Sequence, residues 1–298
     1  MSRFAVCVPF HEVARPYFAH FAVALRRAVK PFSARVLFVV DGVQDGVDSI
    51  LPFLDGVTFE AMSAPSGATP ADVRSLLLRY AAGLDVDAVA FADCDDELED
   101  DALRVHAQAL EHADFGYGDQ ILIDQRGDRL GATLYDHWTV PARAESIESL
   151  LDGNFAGFSG CAVRTSSLSA EVVAVPSALL ATDWWVFSRL LLAGATGSQT
   201  RKPVVRYRQH AGNIHGGATV SCALVDVRRR AEIALAHFAH LPRHPGIVRR
   251  EGAMRGLMGL LAVSPAELQP DIEKACSRNT CWYADVVSLA LQYFDKQS

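Results

Sequence analysis

Three aspartates follow directly on an apolar run near residue 90, and their type and spacing could bind a metal ion. Residues 89–92 are apolar, and Asp93, Asp95 and Asp96 come next. Carboxylates crowded at the end of a buried strand repel one another and lose solvation, so they are costly unless a cation or ligand offsets their charge. Aspartate oxygens suit Mg²⁺ or Mn²⁺, which usually also bind substrate phosphates. The segment therefore predicts a metal–diphosphate site.

The same acidic residues have an alternative role at the start of the next helix. Asp96 can act as the N-cap, and residues 97–101 can form an acidic first turn that the helix dipole favours. We interpret residues 97–101 in this way, as solvated charge at a helix start. Capping does not explain Asp93, which precedes the turn. On these residues alone, both interpretations of the cluster stay open.

The first hundred residues alternate strand-like and helix-like patterns. Apolar, β-rich runs predict strands at residues 4–9, 35–40, 57–62 and 88–92. Helical spacing predicts helices at residues 17–29, 45–54 and 70–82. Such alternation implies a doubly wound, mostly parallel sheet, in which ligands bind beyond the carboxyl ends of the strands. Pro9, Asp41 and Asp93 all lie at those predicted ends.

The pattern changes after residue 113 and becomes entirely helical after residue 220. Between these points we expect a hairpin turn at residues 125–129, strands at 157–164 and 203–208, and a helix at 183–193. We predict a domain of residues 1–220, with a nucleotide half at about 1–112 and an acceptor half at about 113–220. A C-terminal helical region at 221–298 follows it.

The overall composition excludes several classes of protein. The chain has 298 residues, half of them hydrophobic, and a net charge of −7, which argues against nucleic acid as a partner. No run approaches the roughly 18 apolar residues of a membrane helix, and six cysteines without a CxxC pair indicate reduced thiols. We expect a cytoplasmic protein. Peripheral contact with the inner face of the membrane and a homo-oligomer both stay open.

Six short segments, taken in order, carry a further signal. They are residues 6–12, 38–45, Gly67 with Arg74 and Gly83, 93–96, 182–185, and 206–210 with Asn213. In order and spacing they resemble motifs of the inverting family-two glycosyltransferases, and the last one resembles bacterial rhamnosyltransferase-like members. The resemblance covers about residues 4–216. It departs from the family pattern at Gly42 and Ser75, which replace an aspartate and an asparagine, and at Asp183, which stands alone instead of in an acidic pair.

The resemblance implies a fold and a set of donor-binding residues. The fold is the GT-A nucleotide-sugar-binding fold, a Rossmann-like mostly parallel α/β sheet flanked by helices, here with a C-terminal helical appendage. Asp95 would coordinate Mn²⁺ or Mg²⁺, Asp93 would share the metal and contact the sugar or ribose, and His210 would reach the metal or diphosphate. Pro9, Phe10, Glu12, Asp41 and Arg74 would bind the nucleotide, with Asp41 accepting a hydrogen bond from uracil or thymine. Asp41 could equally be a turn residue, Arg74 a surface charge and His210 a structural residue.

The same resemblance implies a set of acceptor-side residues. Asp183 would be the general base that removes the acceptor proton, and its alternative role is the N-cap of the following helix. Trp184 and Trp185 would serve the acceptor, with one ring in the core and the other stacked on a sugar.

Arg206 and Arg208 share a strand face and could bind phosphate. We also expect a mobile loop at residues 215–217.

The function implied is a metal-dependent inverting glycosyltransferase. It would move a sugar from a UDP- or dTDP-sugar to a hydroxyl of a glycan or lipid-linked glycan, in surface polysaccharide synthesis. A sugar nucleotidyltransferase is an alternative, although residues 10–17 lack its glycine- and basic-rich loop. A phosphatase with Asp93 as nucleophile is another. A non-catalytic nucleotide-sugar-binding or assembly protein also stays open.

Overall fold

The computed structural model describes residues 3–210, 221–277 and 281–297. Its strands are β1 (Phe4–His11), β2 (Arg35–Asp41), β3 (Phe59–Ser63), β4 (Ala88–Phe91), β5 (Glu97–Leu98), β6 (Phe115–Tyr117), β7 (Gln120–Ile123), β8 (Arg129–Thr133), β9 (Arg143–Ala144), β10 (Cys161–Arg164), β11 (Gly197–Gln199) and β12 (Val205–Arg208). Its helices are α1 (Phe18–Val29), α2 (Pro70–Ala82), α3 (Ala102–Leu110), α4 (Glu148–Leu151), α5 (Ala170–Val173), α6 (Thr182–Leu192), α7 (Leu224–His240), α8 (Pro245–Val263), α9 (Pro265–Cys276) and α10 (Ala284–Gln297).

Eight strands form the central sheet, in the order β3-β2-β1-β4-β10-β6-β11-β9. The first four are parallel, and β10 runs antiparallel to both of its neighbours. Alternate side chains of β1 enter the two cores: Val6 and Val8 face α1 and α3, while Ala5 and Cys7 face α2. This is a mixed α/β fold with helices on both faces of the sheet, as the sequence predicts.

The edge of the sheet recedes beside β1, and this opens the space for a site. β1 pairs with β4 only as far as Cys7, opposite Phe91, whereas its pairing with β2 continues to His11 and Asp41. Pro9 is therefore tolerated, since at that position β1 has lost one of its two neighbours. Because β2 and β4 lie on opposite sides of β1, this is also the point where the strand order reverses, and ligands bind at such points.

A second sheet of four strands, in the order β5-β12-β7-β8, lies beside this opening. β12 runs parallel to β7 and antiparallel to β5, and β7 and β8 form the predicted hairpin. The short strand β5 contradicts our interpretation of residues 97–101 as the first turn of a helix. Helix α3 begins only at Ala102, because the chain after Asp96 first pairs with β12.

The helices after residue 220 pack on the same hydrophobic core as α2 and α6. One cluster of buried side chains joins Trp184 of α6 to Phe238 of α7, Leu257 of α8 and Val286 of α10. The boundary at residue 220 and the two halves of the first domain stay predictions. No helix in the described ranges is both long and apolar enough to cross a membrane.

The predicted helices agree with the structure to different degrees. The helix expected at 70–82 is α2, and its first turn is closed by a capping box between Thr69 and Asp72. The helix expected at 45–54 is instead two short 3₁₀ turns, Gly46–Ser49 and Leu51–Phe53. Pro52 falls inside this segment and lacks the N–H that a continuous helix would need.

Candidate functional site

A cavity of about 410 Å³ lies at the receding edge of the sheet. Its lining residues include two groups. The strand-end group consists of Pro9, Phe10, Asp41, Asp93 and Asp95, and the aromatic group consists of Gln120, Gly157, Tyr207, Trp282 and Tyr283. Arg74 near the start of α2 and Asp183 near the start of α6 also line the cavity. The cavity thus collects residues from six strands and helices and from the loop before α10.

Asp93 is held by two neighbours in the wall of the cavity. Its carboxylate forms an ion pair with Arg74, and its backbone N–H lies 3.3 Å from Oγ of Ser159. The guanidinium of Arg74 lies 4.6 Å from the centre of the Phe158 ring. A cation packed on a ring and paired with a carboxylate has a fixed orientation. Arg74 is thus a constituent of the cavity wall, as its predicted nucleotide-binding role requires.

Asp95 and His210 are brought together from distant parts of the chain. Nε2 of His210 lies 3.0 Å from Oδ2 of Asp95, and the imidazole packs 4.9 Å from the ring of Tyr17. Burial alone would raise the pKa of Asp95, but the hydrogen bond with His210 and the nearby His11 hold it below its usual value. Asp95 is therefore an ionised carboxylate at neutral pH, as a metal ligand must be.

Behind these residues, Arg208 joins the acidic segment to the second sheet. The guanidinium is completely buried: its Nη2 donates to Glu97 at 2.6 Å and its Nε donates to the carbonyl oxygen of Asp95 at 2.8 Å. Its backbone N–H donates to Asp96. Burial and the charges of Asp95 and Asp93 raise the pKa of Asp96 well above its ordinary value.

Two expectations about charged residues are corrected by these contacts. Glu97 and Glu99 are not solvated helix-start charge, because they pair with Arg208 and Arg206. Arg208 is not available to phosphate, because its guanidinium is already bound to Glu97 and to backbone carbonyls.

Asp183 lies in the first turn of α6, where it lines the cavity. Ala181 occupies the N-cap position, so the alternative role of Asp183 as an N-cap is wrong. Oδ1 of Asp183 accepts a hydrogen bond of 2.7 Å from the backbone N–H of Trp184. Burial nevertheless raises the pKa of Asp183 to about 6, and this outweighs the opposing effects of that hydrogen bond and of Arg74. A carboxylate with this pKa can accept a proton near neutral pH.

Four predicted site residues do not line the cavity: Glu12, Trp184, Trp185 and His210, of which His210 contacts it through Asp95. Trp184 is completely buried, stacked between the rings of His237 at 3.9 Å and Tyr283 at 5.0 Å, and Trp185 is only 4% exposed. One of the two rings lies in the core as predicted, but the predicted contact of the other with an acceptor is wrong, because it is buried as well. Glu12 is also wrongly placed in the nucleotide pocket: it projects into solvent from the turn after β1 and pairs with Arg15.

The charges in the cavity are strongly unbalanced. Four aspartates, Asp41, Asp93, Asp95 and Asp183, line it, against Arg74 as the one arginine or lysine among its described lining residues. Such a cavity attracts cations and, without one, repels a diphosphate. No three His, Cys, Asp or Glu side chains converge as a complete metal site in the ranges that the structure describes.

The structure also adds residues that the sequence analysis left out. His11 at the end of β1 lines the cavity, and so do all members of the aromatic group. The position of His11 at the end of β1 was the one available signal. Nothing near residue 282 in the sequence indicates a contact with Gly157. Asn213 and the loop expected at 215–217 lie outside the described residues.

Comparisons with known proteins identify the fold. No family profile matches the chain, and no curated protein matches it in sequence. Among solved structures, TarS residues 1–349 from S. aureus in complex with UDP-GlcNAc is similar over 99% of this chain and 92% of that one, with a TM-score of 0.61 and 14% identity. The complex of the same protein with UDP gives a TM-score of 0.59. The mannosyltransferase PcManGT from Pyrobaculum calidifontis, in complex with GDP-Man and Mn²⁺, is similar over 100% of this chain and 76% of that one, with a TM-score of 0.54 and 13% identity. The predicted glycosyltransferase-type α/β fold is thereby confirmed.

Proposed function

We propose that this protein is a metal-dependent inverting glycosyltransferase that moves a sugar from a nucleoside-diphosphate donor to a hydroxyl of a glycan or glycolipid. One observation carries the proposal: a single cavity contains several aspartates at strand ends and, in Asp183, a carboxylate whose pKa of about 6 suits a general base. The fold neighbours that were solved with UDP-GlcNAc and GDP-Man support a nucleotide-sugar donor.

The strand-end group would hold the nucleotide. Asp41 at the end of β2 would accept a hydrogen bond from a uracil or thymine base, with Pro9 and Phe10 beside the nucleoside. The residues of α2 that line the cavity are Pro70, Val73 and Arg74, in its first two turns. A helix N-terminus and a guanidinium both favour an anion at this position. The donor is therefore expected to lie with its diphosphate between α2 and the aspartates.

The carboxylate oxygens in the cavity are suitable ligands for Mn²⁺ or Mg²⁺. These ions are commonly held by one or two carboxylates together with substrate phosphates. Asp95 and Asp93, with His210 beside them, would hold the ion together with oxygens of the donor diphosphate. The bound ion would offset the negative charge of the cavity and of the leaving diphosphate.

Asp183 would carry out the proton transfer. Its free carboxylate oxygen would take the proton of the acceptor hydroxyl as the oxygen attacks the anomeric carbon from the side opposite the diphosphate, which inverts the configuration. The bond from the sugar to the diphosphate breaks and that electron pair leaves with the nucleotide. Exclusion of water supports this step, because it keeps water from replacing the acceptor hydroxyl as the nucleophile. We place this reaction in the cytoplasm, in assembly of a surface polysaccharide.

A thermal-shift series tests the proposal. UDP or dTDP with MnCl₂ should raise the melting temperature, since a ligand at about 100 times its dissociation constant stabilises the native state by about 2.7 kcal/mol. The shift should vanish in Asp95→Asn and persist in the matched control Asp100→Asn, whose carboxylate is exposed and pairs with Arg27. The absence of a shift with any nucleotide would overturn the proposal.

A turnover assay then separates the proposed enzyme from its alternatives. Wild-type protein should release UDP or dTDP from a nucleotide sugar in the presence of an acceptor, and NMR of the product should show the opposite anomeric configuration. Nucleotide binding without release across donors and acceptors would indicate a non-catalytic binding protein. Release of pyrophosphate from a nucleoside triphosphate and a sugar phosphate would indicate a nucleotidyltransferase.

A further inference from the structure

The loop before α10 reaches the cavity from the C-terminal helical region. Trp282 and Tyr283 are the described residues beyond position 220 that line it. The loop is fixed at both residues: the carbonyl oxygen of Trp282 accepts a 2.9 Å hydrogen bond from Asn154, and Tyr283 stacks on Trp184. Tyr283 has φ +68°, a backbone conformation that bulky residues rarely adopt and that tends to occur at functional sites.

The Trp282 ring lies directly on the backbone of Gly157. A Cβ atom at residue 157 would lie 2.7 Å from Cζ3 of Trp282 and 3.6 Å from Nε2 of Gln120. Because residue 157 has no side chain, the indole of Trp282 and the carboxamide of Gln120 can both pack close to its backbone. Trp138, 4.9 Å away, and Tyr207, 6.4 Å away, pack edge-on against Trp282 and hold its orientation.

Two polar groups here have no hydrogen-bond partner among the described residues. They are Oε1 of Gln120 and Nε1 of Trp282, and both atoms are buried. Buried polar groups in native proteins are nearly always hydrogen-bonded, since an unpaired one is costly. One of these groups is an acceptor and the other a donor, so hydroxyl groups, which both donate and accept, would satisfy them.

We infer that Trp282 and Gln120, supported by Tyr283, bind the acceptor as an uncharged sugar ring; this rests on the proposed function. Trp282 offers a rigid, amphipathic surface, and Gln120 a hydrogen-bonding group, beside the cavity that contains Asp183. The aromatic group contains no lysine or arginine, and the nearby Asp183 would repel a phosphate or carboxylate. Because Tyr283 stacks on the residue after Asp183, the acceptor site and the base are joined by direct packing.

Saturation-transfer NMR with simple glycosides tests this inference. The probes are methyl β-D-glucopyranoside, which is uncharged, and the corresponding methyl glucuronide, each added to protein with UDP and the diamagnetic MgCl₂. Wild-type protein should transfer saturation to the glucoside and not to the glucuronide. Trp282→Leu and Gln120→Leu should each weaken glucoside binding about ten-fold, the effect of one lost hydrogen bond of ordinary strength.

The matched control is Tyr293→Phe, an aromatic change on α10 that removes a surface hydrogen bond to Asp271. It should keep the glucoside signal, and all the variants should keep the UDP-induced thermal shift. If Trp282→Leu does not fold, Trp282→Phe, which keeps a ring and removes the N–H, takes its place. An unchanged signal in Gln120→Leu and in the Trp282 variant, equal binding of the glucuronide, or no wild-type signal would overturn the inference.

The proposed function fails separately, by the absence of a UDP shift in wild-type protein. A UDP shift without a glucoside signal would leave the proposed function standing and remove the acceptor site proposed here.

Discussion

The strand-end group and the aromatic group line the same cavity but are encoded in different ways. The strand-end group comes from β1, β2 and β4 within the first hundred residues, and each member ends or follows a buried run. The aromatic group joins β7, the segment before β10, β12 and the loop before α10. The position of the strand-end group follows from the rule that parallel strands end at one edge of a sheet. The position of the aromatic group depends on packing between distant segments. If the two groups are also separate in function, substitutions in one should leave the property that depends on the other unchanged.

The largest expected effect is that of Asp183→Asn on catalysis. Removal of a general base lowers kcat by about 10²- to 10⁴-fold. Affinity for UDP should stay unchanged, because Asp183 is outside the strand-end group. Initial rates and UDP titrations measure the two properties. A ten-fold loss of UDP affinity would show that the two sides of the cavity do not function separately.

The same variant should be more stable than wild type above pH 6. Asp183 has a pKa of about 6 in the folded protein and 3.8 as its ordinary value, so the folded state binds the proton more tightly. Wild-type stability therefore falls as pH rises from about 4 to 6, by up to about 3 kcal/mol. The Asp183→Asn variant has no carboxylate at this position, so it does not lose this stability as the pH rises. Melting curves at pH 4 and pH 8 should show a gain at pH 8 that shrinks at pH 4, and wild-type kcat should rise with pH through about 6.

Arg208→Leu should have the next largest effect, and on stability. Removal of one partner of a buried ion pair typically costs about 3–5 kcal/mol, and Glu97 would be left without this partner. Urea denaturation measures the loss. Arg206→Leu, on the same strand as Arg208, is the control: it breaks partly exposed pairs with Glu99 and, at 3.6 Å, with Glu97, and should cost about 1 kcal/mol or less. Equal losses in the two variants would contradict the structural role assigned to Arg208.

Gly157→Ala should damage the aromatic group selectively. The added Cβ would lie 2.7 Å and 2.8 Å from two atoms of the Trp282 ring, which must then move. Overpacking of this kind costs about 1–3 kcal/mol. Acceptor-dependent turnover should fall while the UDP-induced thermal shift persists.

The matched control for that variant is Gly256→Ala on α8, where a Cβ meets no atom within 4 Å. It should stabilise the protein by about 0.5–1 kcal/mol, because alanine favours the helix. If Gly157→Ala behaves in the same way as Gly256→Ala, Trp282 is not held against that backbone.

The smallest expected effect is a difference in UDP affinity between variants of two acidic residues near the strand ends. Asp41→Asn should weaken UDP binding about ten-fold, or about 1.4 kcal/mol, because it lines the cavity. Glu12→Gln should change it by less than about 0.5 kcal/mol, because Glu12 is solvent-exposed and pairs with Arg15. Isothermal titration with UDP and MnCl₂ compares them. A larger loss of UDP affinity in Glu12→Gln than in Asp41→Asn would show that Glu12 does contribute to nucleotide binding.

Local patterns were sufficient for much of the fold and of the strand-end group. Buried runs and helical spacing locate β1, β2, β4 and α2, and Asp41 and Asp93 follow because they terminate strands. Trp184 and Trp185 show the limit of this reasoning. The residues after Asp183 have a motif that suggests contact with ligand, yet the core formed with α7 and α10 takes both rings. Only the packing of elements that lie far away in the chain decides which way such a side chain turns.

Long-range pairing explains the other errors. Glu97 looks like helix-start charge as long as its partner is unknown, and that partner, Arg208, lies 111 residues later. Trp282 carries no periodic or motif signal, because its position depends on the absence of a side chain at Gly157. Sequence periodicity reports which face of an element is buried, and it does not report which distant residue covers that face.

The indole of Trp184 stacks between the ring of His237 from α7 and the ring of Tyr283 from the loop before α10. A chimera that joined residues 1–220 of this chain to the tail of a relative would therefore lose both flanking rings beside Asp183. Recombination aimed at a new acceptor would have to exchange α6, α7 and residues 281–283 as one set. In the proposed enzyme, point changes at Asp41 and Asp93 would leave that set intact, because both belong to the strand-end group.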